Sequence, residues 1–117
     1  MLRTILIADD NPEIRQTLKD IFTEKGYAVE LAEGGFEALA CLKEKFIDVI
    51  VLDLMMPDRS GTQIFDTIRN ISPLTGIIIY TGFKQYEDST YAQSANKFIL
   101  KGSDMDELLK AVEAILA

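Results

Sequence analysis

Five side chains with charged or nucleophilic groups close, or directly follow, short apolar runs of this sequence. They are three carboxylates, one hydroxyl and one ammonium: Asp9, Asp10, Asp53, Thr81 and Lys101. A charged group at the end of a buried strand is costly unless a nearby group compensates for it. Each aspartate taken alone has a simpler interpretation as a turn or cap residue, and Asp10 in particular could cap the helix that follows it. The five together are harder to assign to capping, because their chemical roles fit one another.

The chemistry that these groups could perform together is phosphoryl transfer to a carboxylate. Three neighbouring carboxylates repel one another, and a hard divalent cation with oxygen ligands and retained waters, such as magnesium, would remove that repulsion. A carboxylate can itself be the nucleophile toward a phosphoryl group. Lys101 and the metal would then neutralise the oxygens of the transferred group, and the Thr81 hydroxyl could donate to one of them. The sequence therefore predicts that Asp53 faces a metal-and-lysine pocket for an anionic phosphoryl group.

The elements that must bring these residues together are predicted by apolar periodicity. Five strands are expected, at 4–8, 27–32, 48–53, 76–81 and 97–100. Five helices are expected after them, at 11–26, 35–45, 61–71, 85–95 and from Asp104 onward. Asn11 is the expected N-cap of the first helix, with Pro12 at its first position and Gly26 at its end. Ser103 and Asp106 have the spacing of a capping box before the last helix.

This strict alternation predicts an α/β fold, a doubly wound parallel sheet with helices on both faces. Segment 48–53 is the most apolar and is expected at the centre, whereas 27–32 is expected nearer an edge. All strands of such a sheet end at the same edge, where ligands bind, so the five residues are expected to share one small region. Asp58, after Pro57, could ligate a metal, but it is expected to be a turn residue.

Composition narrows the function classes further. At 117 residues, with 48% hydrophobic and 26% charged residues, the chain is expected to form one domain over 1–117. The formal net charge of −7 argues against binding to nucleic acid, and the absence of histidine excludes a Ser-His-Asp triad, a histidine-ligated zinc site and a phosphohistidine carrier. The apolar runs are too short to predict a transmembrane helix. A single cysteine, Cys41, cannot form an internal disulfide, which favours the cytoplasm.

Four segments carry a resemblance to a known family: "ADDN" after the first strand, "LDLMMPDRSG" after the third, "YTG" after the fourth and "FILKG" after the fifth. In this order and spacing, the chain resembles the receiver domain of two-component response regulators over nearly its whole length. The resemblance implies a flavodoxin-like fold with strand order 2-1-3-4-5. It also implies a signalling domain that catalyses only its own phosphorylation and dephosphorylation, and does not act as an enzyme on other substrates.

The resemblance implies specific roles for individual residues. Asp9 and Asp10 would hold Mg²⁺ together with Asp53 and the backbone carbonyl of Met55. Asp53 would accept the phosphoryl group from a partner histidine kinase or phosphotransfer protein. The switch residues would be Thr81 and the aromatic Phe98, and Lys101 would pair with the phosphate. A downstream protein would bind at the surface of the fourth helix, fifth strand and fifth helix, with no membrane contact.

The chain departs from the family pattern at several positions. Gly102 stands where receivers usually have proline, so we expect a trans Lys101–Gly102 bond, a more mobile loop and a weaker hold of Lys101 on phosphate. The interval from Thr81 to Lys101 is slightly short, which predicts a reduced fourth helix. Met55 and Phe83 are apolar and flank the expected path of attacking water, which predicts slow self-dephosphorylation.

Three other functions compete with the phosphoacceptor. A receiver-like adaptor that works without phosphorylation is favoured by Gly102 and opposed by the intact set of aspartates, threonine and lysine. A phosphatase of the haloacid-dehalogenase type would want a second acid where this chain has Met55. A flavin-binding module would need a hydroxyl- and glycine-rich phosphate loop after the first strand. This chain has Asp9, Asp10 and Asn11 there, a loop that would repel phosphate.

Overall fold

The computed structural model describes residues 2–56 and 61–117, and these form five strands and five helices in alternation. The strands are β1 (Thr4–Ala8), β2 (Ala28–Ala32), β3 (Val49–Leu52), β4 (Gly76–Thr81) and β5 (Lys97–Leu100). The helices are α1 (Pro12–Glu24), α2 (Gly35–Glu44), α3 (Gly61–Ile71), α4 (Thr90–Ser94) and α5 (Met105–Leu116). A single 3₁₀ turn, Lys84–Tyr86, precedes α4. The turn predicted at Pro57 and Asp58 lies outside the described residues.

The five strands form one parallel sheet in the order β2-β1-β3-β4-β5. This confirms the α/β, doubly wound and flavodoxin-like fold. The central position of β3 and the edge position of β2 are confirmed as well. All four residues of β3 are buried, because helices cover both faces of the sheet at its centre.

Alternation along the strands divides the core into two layers. Side chains of even-numbered residues in β1 and β3, such as Leu6 and Ile50, pack in one layer with α2 and α3. Side chains of odd-numbered residues, such as Ile7 and Val51, pack in the other with α1 and α5. Successive side chains of a strand point to opposite faces of the sheet. A residue directly after a strand therefore lies on the face opposite to that of the last strand residue. We call these the α2/α3 layer and the α1/α5 layer.

The ends of α1 form as the sequence predicts. The Asn11 side chain accepts hydrogen bonds from the backbone N–H groups of Glu13 and Ile14, at 2.9 and 3.3 Å. Gly26 follows the last turn at a φ of 95°, in the left-handed region that favours glycine. Since Asn11 takes the N-cap position, the capping role considered for Asp10 is wrong.

The capping box predicted at Ser103 and Asp106 is also wrong. The N-cap of α5 is Asp104, whose Oδ1 accepts from the backbone N–H of Asp106 at 3.0 Å. The Ser103 hydroxyl instead donates a hydrogen bond to the carbonyl of Leu100, the last residue of β5, at 2.7 Å. Ser103 therefore stabilises the turn that follows β5. The helix therefore begins one residue later than that pattern implied.

The segment between β4 and β5 contains little helix. α4 has five residues, with the Ser89 hydroxyl accepting from the Ala92 N–H at its start. The prediction of a reduced fourth helix is confirmed, because the polar segment before Thr90 forms only the 3₁₀ turn. None of the helices in the described ranges is long and apolar enough to span a membrane.

Candidate functional site

Three charged residues stand one position beyond the carboxyl ends of β1, β3 and β5. The backbone N–H groups of Asp9, Asp53 and Lys101 donate to carbonyls of the neighbouring strands, at 3.1, 2.9 and 2.8 Å. These bonds continue the parallel ladders by one residue, so the three backbones are held as firmly as the strands themselves. By alternation all three fall on the side of the α1/α5 layer. Strand register therefore brings them together.

The predicted carboxylates converge. Asp9, Asp10 and Asp53 each offer a carboxylate oxygen, and these oxygens lie within 4.8 Å of one another. Asp9 and Asp53 are only 2% and 5% exposed, whereas Asp10 is exposed. The group is thus buried on one side and open to solvent on the other, as a binding site for a small ion requires.

Lys101 bridges the two buried carboxylates. Its Nζ lies 2.7 Å from Asp9 Oδ2 and 3.0 Å from Asp53 Oδ2. Burial alone would lower the pKa of Lys101, but its hydrogen bonds to Asp9 and Asp53 outweigh burial and the pKa is raised. Lys101 is therefore a firmly held cation at neutral pH.

The peptide bond from Lys101 to Gly102 is trans as predicted, since no peptide bond among the described residues is cis.

The pKa of Asp53 is raised, and burial is the largest cause. Its bonds to Lys101 and to the Met55 backbone N–H, which donates to Oδ1 at 3.2 Å, act in the opposite direction. The negative charge of Asp9 adds to the rise. Three carboxylates against one ammonium leave two negative charges uncompensated, which one divalent cation would balance.

Thr81 and Phe98 lie on the other face of the sheet. Thr81 is fully buried, and its Oγ1 accepts from the Phe83 backbone N–H at 3.3 Å. Phe98 pairs with Ile79 in register and packs against the α2/α3 layer while still partly exposed. Within the described residues, Thr81 makes no hydrogen bond with Asp53.

An open cleft of about 660 Å³ leads to the carboxylates. Its rim includes Met55 and Phe83, each 41% exposed. The Tyr86 hydroxyl donates to Met55 Sδ at 3.6 Å, and the Phe83 and Tyr86 rings meet edge to face at 6.5 Å. The 3₁₀ turn thus joins the two apolar residues that flank the cleft.

Sequence reasoning missed three residues around the site. The sequence predicts Tyr80 and Tyr86 only as packing or surface residues. It predicts no role for Arg15, whose Nη1 donates to the Asp9 carbonyl at 2.7 Å and whose Nη2 contacts Glu33 at 3.2 Å. Tyr80 was also missed, although its ring centroid lies 6.0 Å from Lys101 Nζ. The position of Tyr80 directly before Thr81 was the one available signal, because alternation puts it on the face opposite to the threonine.

Residues 5–113 match the family model of the response regulator receiver domain, and the chain belongs to this family. Two relatives are the transcriptional regulatory proteins GlrR of Escherichia coli and DltR of Streptococcus agalactiae. GlrR is 32% identical over 114 residues, which cover 96% of this chain and 26% of GlrR. DltR is 30% identical over 110 residues, which cover 92% of this chain and 49% of DltR. The chain thus spans between a quarter and a half of the length of these curated relatives.

Solved structures agree with the assignment. TrrA from Thermotoga maritima, in complex with Mg²⁺-BeF, is 32% identical with a TM-score of 0.90, covering 97% of this chain and 99% of TrrA. Chemotaxis regulator CheY4 of Vibrio cholerae is 28% identical with a TM-score of 0.88, covering 98% and 99% of the two chains. TrrA has also been solved in complex with the histidine kinase ThkA, where the match has a TM-score of 0.89 at 33% identity and covers 99% and 100%.

Proposed function

We propose that this domain is a Mg²⁺-dependent phosphoacceptor switch that takes a phosphoryl group on Asp53. The observation that carries the proposal is the position of the Lys101 ammonium between Asp9 and Asp53, beside Asp10 and at the base of an open cleft. Phosphoryl transfer to aspartate requires a nucleophilic carboxylate, a fixed cation and an acidic pair whose negative charge a metal ion can neutralise.

The acidic group fits magnesium by its donor chemistry. Oxygen ligands from Asp9, Asp10 and Asp53, with the backbone carbonyl of Met55 and retained waters, are of the kind that Mg²⁺ prefers. The similar structure of TrrA with Mg²⁺-BeF supports this choice. When bound, the metal ion would supply positive charge to the oxygens of the incoming phosphoryl group.

The residues of this chain have defined tasks in the transfer. An oxygen of Asp53 forms a bond to phosphorus while the bond from phosphorus to the donor atom breaks, and the electron pair of that bond stays with the donor. Lys101 exchanges its bond to Asp53 for one to a phosphoryl oxygen while it keeps its bond to Asp9. The Met55 N–H continues to hold the Asp53 carboxylate in orientation.

The donor histidine would lie outside these 117 residues, which contain no histidine. A histidine kinase or a phosphotransfer protein is the class of partner that we propose, and the complex of TrrA with the kinase ThkA supports it. The open cleft and Gly82 beside it leave access for an imidazole-bound phosphoryl group. Among the described residues other than its two chain neighbours, none has an atom within 4 Å of the place that a Gly82 Cβ would occupy.

The output is a population shift between two arrangements of one sheet face. In the phosphorylated domain the Thr81 hydroxyl leaves the Phe83 N–H and donates to a phosphoryl oxygen. Phe98, which lies on the same face and is partly exposed, then turns inward. The surface of α4, β5 and α5 changes with it, and a downstream protein binds that surface.

Gly102 supports a second candidate, an adaptor that works without phosphorylation. It follows Lys101 at a φ of 92° where the family pattern has proline. In this alternative the Lys101 bridge to Asp9 and Asp53 locks one conformation permanently, and partner binding does not depend on a phosphoryl group.

Intact-mass measurement distinguishes the two functions. The protein is incubated with Mg²⁺ and acetyl phosphate, alongside Asp53→Asn and, as a matched control, Asp66→Asn on the exposed face of α3. The phosphoacceptor predicts the gain of one phosphoryl group in wild type and Asp66→Asn, and no gain in Asp53→Asn or after metal chelation. If neither acetyl phosphate nor a panel of phosphorylated kinases transfers a group, the adaptor is the better account.

A further inference from the structure

Tyr80 lies beneath the ammonium group of Lys101. Its side chain is 7% exposed and packs in the α1/α5 layer, and its backbone is in register with Ile99 in the neighbouring strand. Lys101 Nζ lies 6.0 Å from the centroid of the Tyr80 ring. The lysine thus has two carboxylates beside it and an aromatic ring fixed in the core below.

The tyrosine hydroxyl does not explain why an aromatic residue stands here. Among the described residues it has no hydrogen-bond partner. Tyr80 as a whole lines an open pocket of about 200 Å³, together with Ile14 of α1 and Met105 of α5. What Tyr80 gives to the site is the face of its ring, which carries partial negative charge and attracts a cation at this distance.

Lys101 gains little support from the residues that follow it. Gly102, Ser103 and Asp104 are all exposed, and Gly102 is in the left-handed region. The backbone N–H of Lys101 donates to the Thr81 carbonyl, which fixes the main chain at this residue but not the position of its long side chain. During phosphoryl transfer the ammonium exchanges its contact with Asp53 for one to a phosphoryl oxygen, so within the described part of the chain Asp9 and the Tyr80 ring are the protein groups that still hold it.

We propose that Tyr80 is a positioning residue, whose ring face holds the Lys101 ammonium between Asp9 and Asp53 at the depth where an arriving phosphoryl oxygen meets it. The proposal rests on the phosphoacceptor function described above. It accounts for a defined lysine position in a chain that lacks proline after this residue.

The first test is a double-mutant cycle on the rate of phosphorylation by acetyl phosphate at saturating Mg²⁺. Tyr80→Leu keeps an apolar side chain and removes the ring, and we expect it to slow phosphorylation by about threefold to tenfold. Tyr80→Phe keeps the ring and should react like wild type. In a Lys101→Met background, Tyr80→Leu should have no further effect.

Equal rates for Tyr80→Leu and wild type would overturn the proposal, and so would an undiminished loss in the Lys101→Met background, because that loss would be structural. The second test needs no phosphorylation. The ε protons of Lys101 should show an upfield ring-current shift by NMR in wild type and Tyr80→Phe, and lose it in Tyr80→Leu. An unshifted wild-type signal would contradict the contact. A shifted signal in a protein that no donor phosphorylates would instead contradict the phosphoacceptor function.

Discussion

Asp53 must be ionised to act as a nucleophile, yet it stands where ionisation is unfavourable. Burial raises its pKa above the ordinary value of 3.8, and Lys101 and the Met55 N–H compensate for only part of that rise. The folded protein therefore holds a proton on Asp53 more tightly than the unfolded chain does. The stability contributed by this group is fully present below pH 3.8 and is lost as the pH rises through the folded pKa.

Asp53→Asn should consequently stabilise the metal-free protein at pH 7, because the variant has no carboxylate to ionise in this buried position. Lys101 would keep its partner Asp9, so no buried ammonium would be left unpaired. Urea unfolding with chelator present should show this gain at pH 7 and its disappearance near pH 4, about the ordinary pKa of a carboxyl group. Asp66→Asn serves as the control. A variant less stable than wild type at pH 7 would show that the ionised carboxylate stabilises the fold.

Met55→Asn should shorten the lifetime of the phosphorylated protein. Met55 presents an exposed apolar side chain at the rim of the cleft, where an amide could hold a water for attack on phosphorus. We expect dephosphorylation to accelerate by about threefold to tenfold. The measurement is the decay of the phosphorylated mass after donor removal, and Met55→Leu, which stays apolar, should decay like wild type. Equal decay of the asparagine and leucine variants would rule out this role.

At the level of single residues, sequence reasoning identified the carboxylates and the lysine but not their surroundings. Asp9, Asp53 and Lys101 could be predicted because each follows an apolar run and parallel strands end at one edge. Tyr80 could not, since the distance from its ring to the Lys101 ammonium depends on the register of β4 with β5. Arg15 was missed because it binds the backbone carbonyl of Asp9. Every residue has a backbone carbonyl, so the residue types in the sequence do not indicate this contact.

The elements differ in how firmly their own sequences determine them. The strands formed where apolar runs predicted them, because burial on both faces of a parallel sheet leaves a strong pattern. The start of α5 was predicted wrongly, since Ser103 and Asp104 are both good N-cap residues and the choice depends on a bond elsewhere. Ser103 is held by the Leu100 carbonyl, which leaves Asp104 to cap the helix.

Asp104→Ala should therefore destabilise the protein more than Ser103→Ala. Losing the bond from the Asp106 N–H to the cap is expected to cost about 1 kcal/mol of unfolding free energy. Ser103→Ala removes a bond at an exposed turn and should cost less. Thermal or urea unfolding of the two variants measures the difference. A larger loss in Ser103→Ala would show that the turn after β5, rather than the helix cap, limits stability there.

On the scale of the whole molecule, the sheet lies between the charged site and the proposed switch residues. Asp9, Asp53 and Lys101 fall on the side of the α1/α5 layer, whereas Thr81 and Phe98 fall on the side of the α2/α3 layer. A signal from Asp53 would pass around the carboxyl edge of the sheet, where Phe83 lines the cleft beside Asp53 and its N–H donates to Thr81 Oγ1. No residue pattern alone predicts the Tyr86 contact with Met55, because it joins two loops that are distant in sequence.

Binding of Mg²⁺ at the acidic site should also increase the free energy of unfolding of the domain. An ion that binds only the folded state stabilises it by mass action, by about 1.4 kcal/mol at ten times its dissociation constant. Asp10→Asn should lose most of this gain and still fold, because Asp10 is exposed. Unfolding with Mg²⁺ and with sodium at equal ionic strength makes the comparison. Equal stabilisation of Asp10→Asn and wild type would place the ion elsewhere.

Chemical trapping at residue resolution is the most direct test of the account. Borohydride reduces an aspartyl phosphate to homoserine, which peptide mass spectrometry can locate in protein phosphorylated with Mg²⁺ and acetyl phosphate. We expect homoserine at position 53 alone, in amounts that fall when Lys101 is changed to Met. Homoserine at position 9 or 10, or a phosphorylated protein with none at position 53, would contradict it.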